Sequence, residues 1–65
     1  MLTDKETYKI LSAINDMDES RVGGWIHNCK INISVSVLVE LMNKKLMEAG
    51  GMYSRLTKRG TAFIN

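Results

Sequence analysis

Few side chains in this sequence could do covalent chemistry: it has one histidine, His27, and one cysteine, Cys29. A lone histidine with no second histidine or paired cysteine lacks the spacing of a metal site. No serine–histidine–aspartate set, phosphate loop or carboxylate pair is spelled out either. Helical spacing puts His27 on the solvent side and Cys29 inward, where it reads as a small core hydrophobe. The sequence therefore predicts no catalytic residue, no metal and no cofactor, and not an enzyme. What remains is the chemistry of cations. Lys30, Lys44, Lys45, Arg55, Lys58 and Arg59 carry the positive charge of the C-terminal half and suit a polyanion.

That charge is unevenly distributed. Residues 1–19 hold five acids and two bases, whereas residues 20–65 hold seven bases and two acids, Glu40 and Glu48. The net charge of the whole is only +2. At 65 residues a single domain, 1–65, is expected, with a small core. One thiol suits a reducing compartment, no apolar run nears the roughly 18 residues of a membrane span, and Met1–Glu6 has no signal pattern. A cytoplasmic protein that leaves the membrane alone is the expectation.

The elements that must position these side chains follow from periodicity. Thr3-Asp-Lys-Glu6 fits a capping box. Ile10, Ala13, Ile14 and Met17, widened by Tyr8 and Leu11, form one stripe of a helix ending near 15–17. Val22, Trp25, Ile26 and Cys29 repeat that spacing and predict a second helix over about 21–30, with Asp18 and Ser20 as N-cap candidates and Trp25 as its largest core residue. Gly23 and Gly24 weaken it, at about 1 kcal/mol each relative to Ala. Asn32 or Ser34 caps a third helix, with Val35, Leu38, Val39 and Met42 inward and Ser36, Val37, Glu40, Asn43 and Lys44 outward. The β-branched run from Ile31 to Val39 also fits a strand, but the pattern continuing through Lys45 selects helix. Leu46–Ala49 and Met52–Leu56 read as a hairpin turning at Gly50-Gly51, anchored by Leu46 and Leu56. Thr57 then caps a short last helix from Lys58.

This order resembles the winged helix-turn-helix of small bacterial repressors, including the multiple-antibiotic-resistance type. Ile26 to Ile31 stands where that family reads its second helix and turn. Leu41 or Met42 through Met47 stands at the end of its third helix, and Leu56-Thr57-x-x-Gly60 matches its Leu-Thr-x-x-Gly. The glycine that precedes the family's hairpin is absent, leaving Lys45 in its place or a one-residue deletion. The resemblance implies a mainly α fold with a small β-hairpin: a three-helix core, a two-stranded wing and a short C-terminal helix.

It further implies a DNA-binding protein, a transcriptional or replication regulator on double-stranded DNA. The third helix would enter the major groove and the wing would touch the backbone. On that reading Lys30, Ser34, Ser36, Asn43, Lys44, Lys45, Tyr53, Arg55, Lys58 and Arg59 are the contacts. Such a module buries little DNA surface, so a homodimer is expected, with Ala62-Phe63-Ile64 as a contact. The third helix is nonetheless a poor reader, because no cation lies between Lys30 and Lys44 and Glu40 repels phosphate. The alternative is an interaction module of phage or plasmid type that binds a protein partner through Val37, Glu40 and Met52.

Overall fold

Thr3 opens the first helix as its spacing to Glu6 requires. In the computed structural model, which describes residues 1–65, the Thr3 hydroxyl accepts from the Glu6 amide at 3.1 Å, and the Glu6 carboxylate accepts from the Thr3 amide at 3.0 Å. Helix α1 spans Asp4–Asn15 and buries Thr7, Leu11 and Ile14. The inward stripe is therefore turned from the expected one: Ala13 and Tyr8 are exposed, and Ile10 and Met17 only flank the core. Thr7 is buried without an orphaned hydroxyl, because it donates to the Thr3 carbonyl at 2.8 Å.

The second helix expected over 21–30 does not form. Helix α2 is a single turn, Asp18–Arg21, with Met17 at its N-cap rather than Asp18 or Ser20. Gly23 ends the segment at φ +73°, a left-handed conformation that glycine takes without steric cost. The chain is then extended as strand β1, Ile26–His27, and tightens into a 3₁₀ turn over Asn28–Lys30. Only Ile26 of the Val22/Trp25/Ile26/Cys29 set is buried; Trp25 and Cys29, expected inside, are exposed. Alternation along a strand replaces the helical period, so neighbours on either side of Ile26 point away from the core.

Helix α3 spans Val35–Asn43, and Ser34 caps it by accepting from the Val37 amide. Its buried centre is Leu41, flanked by the part-buried Val37, Leu38 and Met42. Val35 and Val39, expected inward, are exposed (78% and 46%), and Val37, expected outward, packs on the core. Apolar side chains surround this helix on nearly every side, so their period alone left its rotation open. The helix ends in a Schellman motif: the Leu46 amide donates to the Leu41 carbonyl at 3.0 Å and the Lys45 amide to the Met42 carbonyl at 3.0 Å. Lys45 occupies the left-handed position of that motif, at φ +64°.

Strands β2 (Met47–Gly50) and β3 (Tyr53–Leu56) pair antiparallel, and β1 joins the other edge of β3. The sheet therefore has three strands in the order β1-β3-β2, one more than the expected hairpin. The turn is Gly51-Met52, one residue later than Gly50-Gly51: Gly50 pairs with Tyr53, and Gly51 takes φ +61° as the first loop residue. A positive φ at that place alone is the signature of a type II′ hairpin. Inward residues Ile26, Ser54 and Met47 are buried.

Thr57 caps helix α4, Lys58–Ile64, by accepting from the Gly60 amide at 3.0 Å, as expected. Leu11, Ile14, Ile26, Ile31, Leu41, Leu46 and Met47 form the core under these elements, with Leu2, Ile10, Met17, Leu56 and Ile64 packed around it. The molecule is a small α+β domain of four α-helices and one antiparallel sheet. No helix is long and apolar enough to cross a membrane.

Candidate nucleic-acid interface

A hydrogen bond between backbone and side chain brings two basic pairs to one corner. The Thr57 hydroxyl donates to the Lys45 carbonyl at 2.5 Å, and the Thr57 amide donates to the Leu46 carbonyl at 3.1 Å. The backbone of Lys44-Lys45, at the end of α3, is thereby tied beside that of Lys58-Arg59, at the start of α4. Lys44 pairs with Glu40 at 3.2 Å, whereas Lys45, Lys58 and Arg59 make no ion pair. Lys58 and Arg59 also sit at the positive end of the α4 dipole, with no acid in that turn. Cations there are disfavoured by about 0.3–1 kcal/mol each. The local helix electrostatics run against this arrangement, and an external anion would reverse the balance.

The solvent face of α3 is made of Val35, Ser36, Val39 and Asn43. It offers a hydroxyl, an amide and two branched methyl pairs, and no charge. Ser34 lies beside it, its hydroxyl 3.1 Å from that of Ser36, and is engaged in capping. Glu40 does not point outward as a bare carboxylate. It accepts from the Leu2 amide at 2.7 Å and pairs with Lys44. The bond from the Leu2 backbone, then the Lys44 ammonium, hold its carboxyl below the ordinary glutamate range. Of the two residues expected to carry a protein contact on this helix, Val37 is part-buried against the core and Glu40 bonds to Leu2 and Lys44. Met52, the third, is exposed at the hairpin turn.

The outer face of the sheet carries the other expected contacts. Tyr53 and Arg55 both point outward, alternating with the buried Ser54. Arg55 lies opposite Glu48 in the ladder and is ion-paired with it through Nε. Its guanidinium also stands 4.5 Å from the centroid of the Trp25 ring. His27, opposite Tyr53, meets the Tyr53 ring edge-on with centroids 5.1 Å apart. His27 is part-buried rather than fully exposed, and its Nδ1 accepts from the Cys29 amide at 3.2 Å. Trp25 is the surface residue that helical reading missed. The signal was available in Trp25-Ile26-His27, where one aliphatic residue between two amphipathic rings fits an edge strand.

Lys30 stands apart from these groups. It pairs with Glu19 at 2.8 Å, which lowers the Glu19 carboxyl and raises the Lys30 ammonium from their ordinary values. The structure thus brings the segments carrying Lys44-Lys45 and Lys58-Arg59 side by side, and places Ser36 and Asn43 on one helix face and Tyr53 and Arg55 on one sheet face. No family model matches the chain, and no curated protein or solved structure matches it.

Proposed function

We propose that this chain is a small winged-helix DNA-binding protein, a regulator of transcription or replication. In this reading α3 lies in the major groove and the β2–β3 hairpin is the wing. The observation that carries it is the corner at Lys45, Lys58 and Arg59, three unpaired cations, two of them placed against a helix dipole. Such an arrangement suits phosphates, whose charge satisfies both the side chains and the helix end. The neutral face of α3 supports it: Ser36 and Asn43 suit base edges, and the methyls of Val35 and Val39 suit thymine. Glu40, folded back onto Leu2 and Lys44, opposes phosphate less than a free carboxylate would.

A second reading has one specific observation in its favour. Val35 and Val39 expose apolar surface on adjacent turns of α3, together with Met52 at the hairpin tip. A protein partner would cover them; of the expected homodimer contact, Ala62 and Phe63 are exposed and remain proposed, whereas Ile64 packs on the core.

Fluorescence anisotropy with a mixed-sequence duplex, titrated over a salt series, tests the leading reading. Three phosphate contacts give a slope of log K against log salt of about −3. Absence of binding at about 50 mM salt, where such contacts still hold, sinks the DNA reading and leaves the protein partner.

A further inference from the structure

We propose that the outer face of the sheet is a stacking platform for an unpaired nucleobase, so that the chain holds single-stranded nucleic acid there. It rests on the nucleic-acid reading above for its cations, but not on duplex binding. Trp25 is 40% exposed and Tyr53 48% exposed on the same uncovered face, and Gly50 lines the shelf with them. The benzo edge of Trp25 lies over Gly50, its Cη2 and Cζ3 3.7 Å from where a Cβ would stand. Arg55 takes one face of the indole at 4.5 Å. A half-open indole backed by a guanidinium, next to a half-open phenol, is a surface that flat π systems fill. Bases stack on such aromatic side chains with little regard to sequence.

The charge around the platform selects a nucleic acid over an apolar side chain. Arg55 borders both this shelf and a neighbouring open polar groove lined by Ser20, Lys58 and Thr61. The one acidic side chain lining that groove, Glu48, is already paired with Arg55. A strand whose base rests on Trp25 and Tyr53 can run its phosphates along that groove toward Lys58, which makes no ion pair. The shelf itself is lined by no carboxylate.

Trp25 is the only tryptophan of the chain, so its fluorescence reports the platform directly. Oligothymidylate and oligouridylate are titrated into the full chain at low salt, in parallel with a blunt duplex. The expected result is quenching by the single strands and an affinity loss of about 10-fold in Trp25→Ala, the order of one stacked base. Trp25→Phe keeps a ring and retains most of the affinity, and Tyr53→Ala, with Trp25 in place, reduces both affinity and quenching. Blunt-duplex affinity stays unchanged in Trp25→Phe. Single-strand binding that Trp25→Ala and Tyr53→Ala leave intact overturns the platform, as does the absence of single-strand binding. A dimer by light scattering that Trp25→Ala converts to monomer also overturns it, assigning the shelf to a second copy. If duplex binding fails while quenching persists, the platform stands and the duplex reading falls.

Discussion

Gly60 rides directly against the backbone of Leu46: a Cβ on Gly60 would stand 2.1 Å from the Leu46 carbonyl oxygen and 3.1 Å from its carbon. That carbonyl already accepts from the Thr57 amide, so neither backbone can withdraw without breaking a bond. The contact docks α4 onto the start of the hairpin and gives Leu-Thr-x-x-Gly a physical reason in this chain. Thr57 caps, and the glycine three residues on admits the carbonyl. Gly60→Ala is expected to destabilise the fold by about 2–3 kcal/mol, a typical overpacking cost. Urea denaturation checks it, and a midpoint equal to wild type would remove the close approach from the account.

Lys45 offers the opposite test. A non-glycine residue in the left-handed region carries a cost of about 1–2 kcal/mol. Lys45→Gly is therefore expected to raise stability by about 1 kcal/mol while weakening duplex binding through the lost ammonium. A urea midpoint and an anisotropy titration on the same variant read the two effects separately.

Charge reversal at the α4 start should split stability from binding in the same way. Lys58→Glu and Arg59→Glu place acids at the positive end of the helix and are expected to stabilise it by up to about 1 kcal/mol each. Both should abolish measurable duplex binding. The milder Lys58→Gln should flatten the salt slope by about 1, the signature of one lost phosphate contact.

Acid sensitivity follows from two carboxylates that bond to backbone. Glu6, through the Thr3 backbone and hydroxyl, and Glu40, through the Leu2 backbone, both titrate below the ordinary glutamate value of 4.5. Their contribution to stability is thus fully present above that value and is lost as pH falls through their lowered values. Urea midpoints should be level near neutrality and fall on acidification below about 4.5. Glu40→Gln keeps an acceptor for the Leu2 amide but cannot titrate, so its acid loss should be shallower.

Local hydrogen-bond grammar was the readable part of this sequence. Thr3 with Glu6, the pair Asn32 or Ser34, and Thr57 each announced a helix start, and Thr3, Ser34 and Thr57 cap those helices. Long-range pairing was not readable. Ile26-His27 is a strand only because Ser54 and Tyr53 are there to pair with it, nearly 30 residues away. Its apolar neighbours happen to fall at helical intervals, and only the glycines at 23 and 24 argued against a helix. The face of α3 was obscured for another reason. Val35, Val37, Leu38, Val39, Leu41 and Met42 surround the axis, so rotation is decided by packing of Leu41 against the other elements rather than by period. Of the site, the basic residues were evident from composition. Their convergence depends on the Thr57–Lys45 bond, and the pairing of Lys30 and Glu40 with distant partners belongs to the folded chain alone.

Ser54 is fully buried in the middle strand, and its hydroxyl donates to the Asn28 side-chain oxygen at 2.5 Å. That single polar pin fixes which residues of the ribbon look outward. Sliding β3 by one position would drag Tyr53 and Arg55 beneath the sheet and leave Asn28 with no donor, since side chains alternate strictly along a strand. Slippage of the hairpin is therefore barred from inside the molecule. Whatever touches Tyr53 and Arg55 meets them in one invariant frame, set by a seryl oxygen that the visitor never reaches.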